Sequence, residues 1–484
     1  MPSNPTGEPA AGVCATANAV ERSAGDGAAV GEKAAPAASA TDVSGTAAPD
    51  IRAAELFRWI DARAKAQGFD HWGLAEVDVA QAEAGLLQWL AAGFHGGMDY
   101  MARNPELRLK PSVLFPGARS ALMVAASYRP EDPDWMAARW GQLARRGQAV
   151  VSMYALGRDY HRLMRRQMQR LGEDLRRWFA AHPDALPDPS AWPNPGALPD
   201  PGALPDPSAL PDPEAGPDPG AGRFRFRAFC DSGPLLEVEL ARKAGLGWRG
   251  KNTLLLHRER GSLFFLGTLL SNLCPTHWVN PARSRGASTM ETEHCGSCQA
   301  CLEICPTRAI VAPYRLDARR CIAYLTIEHH GPIPEEFRTP MGNRIYGCDD
   351  CQLICPWNKF AVSLKLPGLR TRPAIGALEL IEAMSWDEAA FLHRTEGSAL
   401  RRIGHRRWLR NVAVALGNLL ESPGPEPAPG EIRLALRAIE VLRARRKEVD
   451  PMVAEHIDWA LRRLEAKIAR SPSANQTLAA SARS

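Results

Sequence analysis

A chain of 484 residues has room for two or three domains with their own cores, and 45% hydrophobic with 23% charged residues marks a globular protein, not a disordered or fibrous one. Its formal charge of +5 is too mild to identify a nucleic-acid partner by itself. The sequence has no run of about 18 apolar residues, no basic-then-apolar leader and no twin arginine, so a membrane span and export are both argued against. A cytoplasmic location is expected, where clustered cysteines read as metal ligands or redox groups, not as disulfides.

Residues 1–50 are too poor in large apolar groups to offset the entropy of ordering, and read as a disordered tail. In "IRAAELFRWIDARAKAQGF" the apolar Leu56, Phe57, Ile60 and Ala64 recur at helical spacing, so the folded part begins at about residue 51. Residues 185–220 are hexads such as ALPDPS and ALPDPG; two prolines per hexad exclude helix and central strand, which leaves an extended surface insertion. "FRFRAF" reads as a strand entering a helix in "CDSGPLLEVELARKAGLGW", with Ser232 or Gly233 as cap, Pro234 in the first turn and Gly245 at the end. "GSLFFLGTLLSNL" reads as a buried strand. Beyond Trp357 three amphipathic segments, "SALRRIGHRRWLRNVAVALGNLL", "EIRLALRAIEVLRARRKE" and "PMVAEHIDWALRRLEAKIAR", suit stacked helix pairs of the HEAT type.

Eight of the eleven cysteines carry the most specific signal. Cys295, Cys298, Cys301 and Cys305, followed by Pro306, have the spacing C-x2-C-x2-C-x3-C-P of two-cluster ferredoxins, in which the fourth thiolate serves the neighbouring cluster. A second motif, Cys348, Cys351 and Cys355 with Pro356, lacks its first cysteine, because Ile345 stands there; Cys321 can supply the missing ligand. The expected sets are Cys295, Cys298, Cys301 and Cys355 for one [4Fe-4S] cluster, and Cys305, Cys321, Cys348 and Cys351 for the other. A pair of four-cysteine zinc sites is the alternative, although zinc knuckles are usually two separated C-x2-C pairs. Cys14 lies in the tail, and Cys230 and Cys274 read as buried thiols.

The blocks "FCDSGPLLEVELARKAGLGWRGKNTLL", "RRCIAYLTIEHHG", "MGNRIYGCDDCQLICPWN" and "EGSALRRIGHRRWLRNVAVALGN", with "GGMDYMARNPELRLKPSVLFPGARS" and "YALGRDYH" upstream, resemble successive blocks of the epoxyqueuosine reductase family over roughly residues 51–470. The resemblance implies an α+β protein: a cobalamin-binding α/β catalytic domain at 51–285 interrupted by the 185–220 insertion, a ferredoxin-like two-cluster domain at 286–362, HEAT-like helices at 375–470 that bind tRNA, and a disordered tail at 471–484. It implies two-electron reductive deoxygenation of an epoxide on the wobble nucleoside of tRNA, with electrons from an unidentified donor passing through two [4Fe-4S] clusters to cobalamin. A monomer with no membrane attachment is expected.

By the same resemblance Asp231 is the proton donor and a cofactor contact, and partial burial should raise its pKa; by itself it would read sooner as a helix-capping carboxylate beside Ser232, and the resemblance reverses that preference. Further cobalamin contacts are implied at Arg108, Leu255, Leu266, Ala323, Cys348 and Asp349, with Lys251 and Asn252 as weaker donors. Arg401, Arg402, Arg406, Arg407 and Arg410 share one helical stretch with His405, a run that would ordinarily be a solvated face but that a tRNA substrate makes a phosphate-binding surface. His329 and His330 stand near the substrate or are plain surface histidines. A reductive dehalogenase, a ferredoxin-like carrier and a noncatalytic tRNA-binding module are the competing readings.

Overall fold

The computed structural model describes residues 51–183, 224–273, 294–421 and 427–471. Both expected tails, the proline hexads, Cys14, Cys274 and the 285/286 boundary lie outside these residues.

Helix α1 (Ile51–Ala66) buries Leu56, Ile60 and Ala64, while Phe57 stacks on Trp72 at 5.5 Å. Four strands follow, β1 (His71–Glu76), β2 (Ser120–Ser127), β3 (Phe226–Phe229) and β4 (Phe264–Ser271), forming an antiparallel sheet in the order β1-β2-β4-β3. Every residue of β2 is buried, because both faces of the sheet are covered. The period-2 alternation of a strand assigns its side chains: Leu122, Val124 and Ala126 enter the core beneath α1 and α2 (Tyr160–Ala181), while Ala121, Met123 and Ala125 pack toward α3 (Glu237–Lys243). Helix α2 presents Met164, Met168, Leu171 and Leu175 at three- and four-residue spacing, and its first turn is capped by Asp159, which accepts from the His161 amide at 3.0 Å. Gly172 lets the Phe226 ring lie against α2, since a Cβ there would sit 2.2 Å from it. The expected strands at 224–229 and 263–273 are present. The helix expected after Asp231 begins only at Glu237, beyond Pro234, and ends at Gly245 with φ +75°.

The cysteine-bearing stretch is built from short pieces: α4 (Ala300–Ile304), α5 (Ile322–Ile327), a strand at Arg344–Tyr346 pairing in parallel with Val150–Val151, and α6 (Asp350–Leu353). Pieces this short are not stable alone, and buried polar bonds fix them. Asp349 accepts from Arg139 at 3.0 Å, from the Met153 amide at 2.9 Å and from the Ser152 hydroxyl. Arg344 grips Asp350 through Nε at 2.9 Å and Nη2 at 2.6 Å. The Asn343 amide donates to the carbonyls of Gln142, Arg145 and Gln148, all at 3.0 Å.

The three C-terminal segments form α7 (Gly404–Gly417), α8 (Pro429–Arg446) and α9 (Pro451–Ala469), packed on one another. Buried polar side chains of α7 tie this layer to the cysteine stretch: Asn411 donates to Thr326 and Ile345, and Arg410 to Leu325, His329 and Gly331. One apolar core runs from Ala53 to Ile468 and continues across the 362 to 375 junction expected between domains. Among the described residues no helix is long and apolar enough to cross a membrane.

The Arg139–Asp349 pair is almost wholly buried, with side chains 6% and 3% exposed. Asp349→Ala leaves that guanidinium without its charge partner and should lower stability by about 3–5 kcal/mol, read from chemical unfolding of wild type and variant in parallel.

Candidate active site and cysteine clusters

A chamber of 2540 Å³ opens between the start of α2, the loop after β3 and the turn leading into α7. That is several times the roughly 300–1,000 Å³ of an ordinary small-molecule site. Its wall contains Asp231, in the left-handed region at φ +57°, which an aspartate tolerates better than most residues. The loop is held by the Asp231 amide, which donates to Glu237 at 3.1 Å, and by Arg165, which donates to the Ser232 hydroxyl at 2.9 Å.

The two carboxylate oxygens of Asp231 have different surroundings. Oδ2 accepts from the Tyr160 hydroxyl and lies 3.4 Å from His161 Nε2, whereas Oδ1 has no hydrogen-bond partner among the described residues. The side chain is 56% exposed, and that exposure faces the chamber. Tyr160 is fixed by stacking on Phe265 at 4.0 Å and on His161 at 4.0 Å. The other nitrogen of His161, Nδ1, meets Asp159 Oδ1 at 2.8 Å. The order of groups is therefore Asp159, His161, Asp231.

This geometry corrects one expectation. Burial does press the Asp231 pKa upward, but the hydrogen bonds from His161 and Tyr160, with the charges of His161 and Arg402, outweigh it and hold the carboxyl below its usual range. Burial likewise disfavours the charge on His161, yet its bonds to Asp159 and Asp231 push it up to about 9. At neutral pH the resting pair is an imidazolium beside a carboxylate. Burial raises neighbouring Glu237 to about 8, and the charge of Asp231 adds to the rise. The tripeptide Asp159-Tyr160-His161 stood in the block "YALGRDYH"; two polar groups flanking a tyrosine at the start of a helix were the available signal.

Of the five arginines expected to meet phosphate, Arg401 and Arg402 line the chamber; Arg402 also pairs with Glu328 at 2.7 Å. Arg406 is exposed but bound to Asp450 at 3.0 Å, and all three guanidinium nitrogens of Arg407 donate to backbone carbonyls. Arg410 must be withdrawn from the set: it is 0% exposed and spent on carbonyls of the core, because α7 turns that side inward. Several arginines that line the chamber were missed from sequence, among them Arg158, just before α2, and Arg162 and Arg166, four residues apart on one side of its start.

Arg108 lines the chamber with a side chain that is almost buried. Its Nη2 donates to the Tyr100 carbonyl at 3.1 Å, and its Nε has no hydrogen-bond partner. A buried guanidinium N–H of this kind calls for an acceptor, and it fits a large group rich in amide and phosphate oxygens such as cobalamin. Other expected contacts lie elsewhere. Leu255 is packed in the core beside α3, Leu266 and Ala323 are half-buried outside the chamber wall, and the Asp349 carboxylate is committed to Arg139, Ser152 and Met153.

Four of the eight cysteines share one cavity, and the other four influence one another electrostatically. Cys295, Cys298, Cys301 and Cys355 line one cavity of 380 Å³ together with Lys251, and burial, reinforced by the other three thiols, pushes Cys301 up to about 11. Burial also raises Cys351, with Cys321 and Cys305 as its next influences, and raises Cys348, on which Asp350 and Cys351 act. Thiols crowded in this way ionise together only beside a cation. Lys251 donates to the carbonyls of Gly296 at 2.5 Å and Cys298 at 3.0 Å, so it braces the first loop.

Two family models match the chain: "4Fe-4S double cluster binding domain" over residues 294–358 and "Epoxyqueuosine reductase QueG" over residues 108–185. The epoxyqueuosine reductase of Alicycliphilus denitrificans is 44% identical over 415 residues, 85% of this chain and 99% of that one. The Escherichia coli enzyme is 43% identical over 394 residues, covering 81% and 86%. In structure the chain is similar to an epoxyqueuosine reductase crystallised with a tRNA-Tyr epoxyqueuosine-modified stem loop, with a TM-score of 0.60 and 23% identity over 85% of this chain and 100% of that one; at that identity the likeness concerns the fold. The iron-sulfur reading of the cysteines thus prevails over zinc. Replacing Cys351 by serine should cost about half of the iron bound after anaerobic reconstitution, measured by iron and sulfide analysis.

Proposed function

Because the chain belongs to the epoxyqueuosine reductase family, we propose that it reduces epoxyqueuosine to queuosine at the wobble position of tRNA, in the cytoplasm and as a monomer served by an external electron donor. The observation that carries this reading is the aspartate at the chamber wall, with one carboxylate oxygen held by Tyr160 and His161 and the other open toward a cavity large enough for a corrinoid and a nucleoside together. Cys295, Cys298, Cys301 and Cys355 hold one [4Fe-4S] cluster, and Cys305, Cys321, Cys348 and Cys351 hold the other. When bound, cobalamin supplies the reducing centre for the epoxide.

The residues of this chain do the rest. Arg108 donates to the cofactor's oxygens and fixes it against the wall. Asp231 delivers a proton to the epoxide oxygen as its C–O bond opens, since an unprotonated alkoxide is a poor leaving group. Tyr160 orients that carboxyl. Arg401 and Arg402, just before the HEAT-like helices, with Arg158, Arg162 and Arg166, meet the anticodon-loop phosphates at the chamber mouth.

Asp231→Asn should retain the cofactor's visible spectrum and tRNA affinity while losing roughly 10²–10⁴-fold in turnover, followed by nucleoside mass spectrometry. Turnover at the wild-type rate would remove Asp231 from the chemistry. Arg401→Ala should weaken tRNA binding at every sequence and lower the slope of log affinity against log salt by about 1, measured by filter binding across a salt series.

A further inference from the structure

Removing an epoxide oxygen as water requires more protons than one aspartate can hold. The balanced change, which rests on the reduction proposed above, is epoxide plus two electrons plus two protons to alkene plus water. The electrons come from the external donor through the clusters, but both protons must reach the same oxygen atom. Asp231 is a carboxylate at rest and carries one proton at a time, so the site needs a path that charges it before each delivery.

The Asp159–His161–Asp231 row has the geometry of such a path. His161 Nε2 points to Asp231 Oδ2, and Oδ1 of the same carboxyl is left toward the chamber; the intake oxygen and the delivery oxygen are different atoms. His161 Nδ1 is anchored on Asp159 at 2.8 Å, which fixes the ring and favours its doubly protonated form. The Asp159 side chain is 30% exposed and the His161 side chain 23%, and both residues line the chamber with Asp231, so water there can restore the lost proton. Stacking of His161 on Tyr160 prevents the ring from turning away.

We propose that His161 is the relay that recharges Asp231, so that both protons of each turnover enter through the imidazole. The resting imidazolium first charges the carboxylate: the Nε2–H bond of His161 breaks and an O–H bond forms at Oδ2. As the C–O bond of the epoxide opens, with the two electrons supplied by the external donor, that O–H bond breaks and a hydroxyl forms on the substrate carbon. Water then reprotonates His161, its Nε2–H bond breaks a second time, an O–H bond forms at Oδ2, and the carboxyl is an acid again. After turning about its Cβ–Cγ bond it gives this proton to the departing hydroxyl, which leaves as water while the alkene forms. His161 acts through Asp231.

The groups bearing on this histidine are Asp159, Tyr160 and Arg162 on its own helix, Asp231 and Glu237 across from it, and Arg402 beyond Asp231. Carboxylates bind it directly and the arginines stand farther off, in keeping with a pKa of about 9. A raised histidine pKa means that the charged form, and with it the relay, is complete at neutral pH and is lost as pH rises through that value.

Two measurements on the holoenzyme test the relay. Hydrogen–deuterium exchange at histidine C2, followed by mass spectrometry against pH, should place the His161 midpoint well above the ordinary value of about 6.5 and lower it in Asp159→Asn; a midpoint at or below the ordinary value overturns the proposal, whatever the activity. In single turnover, His161→Gln should slow alkene formation by about 10²-fold and erase the alkaline limb of the pH profile, with tRNA affinity and cofactor spectrum kept and part of the rate restored by added imidazole. A His161→Gln enzyme with the wild-type rate and pH profile overturns the relay while leaving the reductase reading intact. A wild-type enzyme that converts no epoxyqueuosine defeats that reading instead, and the exchange midpoint still decides the state of His161.

Discussion

Two groups of four thiols must be drawn from segments that are distant in sequence and too short to hold their own shape. The buried charges around residues 343–350 meet that constraint. Asp349 reaches back to Arg139, Ser152 and Met153, Asp350 clamps Arg344, and Asn343 binds the carbonyls of Gln142, Arg145 and Gln148. In a low-dielectric interior such bonds are costly to leave unmade, so they specify one arrangement where apolar contacts alone would accept several. Cys348 and Cys351 inherit their positions from that arrangement, and so does their meeting with Cys305 and Cys321.

The acid site shows two electrostatic effects in opposition. Walls that exclude water raise the pKa of a carboxyl, as they do for Glu237, whereas a hydroxyl and an imidazole bonded to one oxygen lower it, as they do for Asp231. The second effect wins at Asp231 because its partners touch the carboxylate directly. The proton expected on the aspartate therefore rests on the histidine. The acid is better understood as a coupled unit of Asp159, Tyr160, His161 and Asp231 than as one residue.

Arginine placement separates residues that bear charge from residues that present it. Arg401, Arg406 and Arg410 follow one another within ten positions, yet one lines the chamber, one is paired with Asp450 and one is sealed in the core. Arg410 serves architecture: its guanidinium binds one carbonyl in α5 and two just after it, and joins the C-terminal helices to the cysteine stretch. A rotation of about 100° per residue is enough to convert a phosphate ligand into a structural tie.

Much of this protein was legible without coordinates where chemistry depends on spacing along the chain. The C-x2-C-x2-C-x3-C-P run, the gap at Ile345 that Cys321 could fill, the buried strand at 263–273 and the amphipathic helices at the C-terminus are local patterns, and local geometry realises them. The length of the Asp231 loop was less legible, because Pro234 permits a helix start that the Glu237 contact then delays. The sequence by itself determined which residue types could hold iron or carry a proton. Only the tertiary structure decided which carboxylate oxygen faces the chamber, which nitrogen of His161 faces Asp231 and which arginines are free to meet a phosphate, since each depends on contacts between segments that no spacing rule connects.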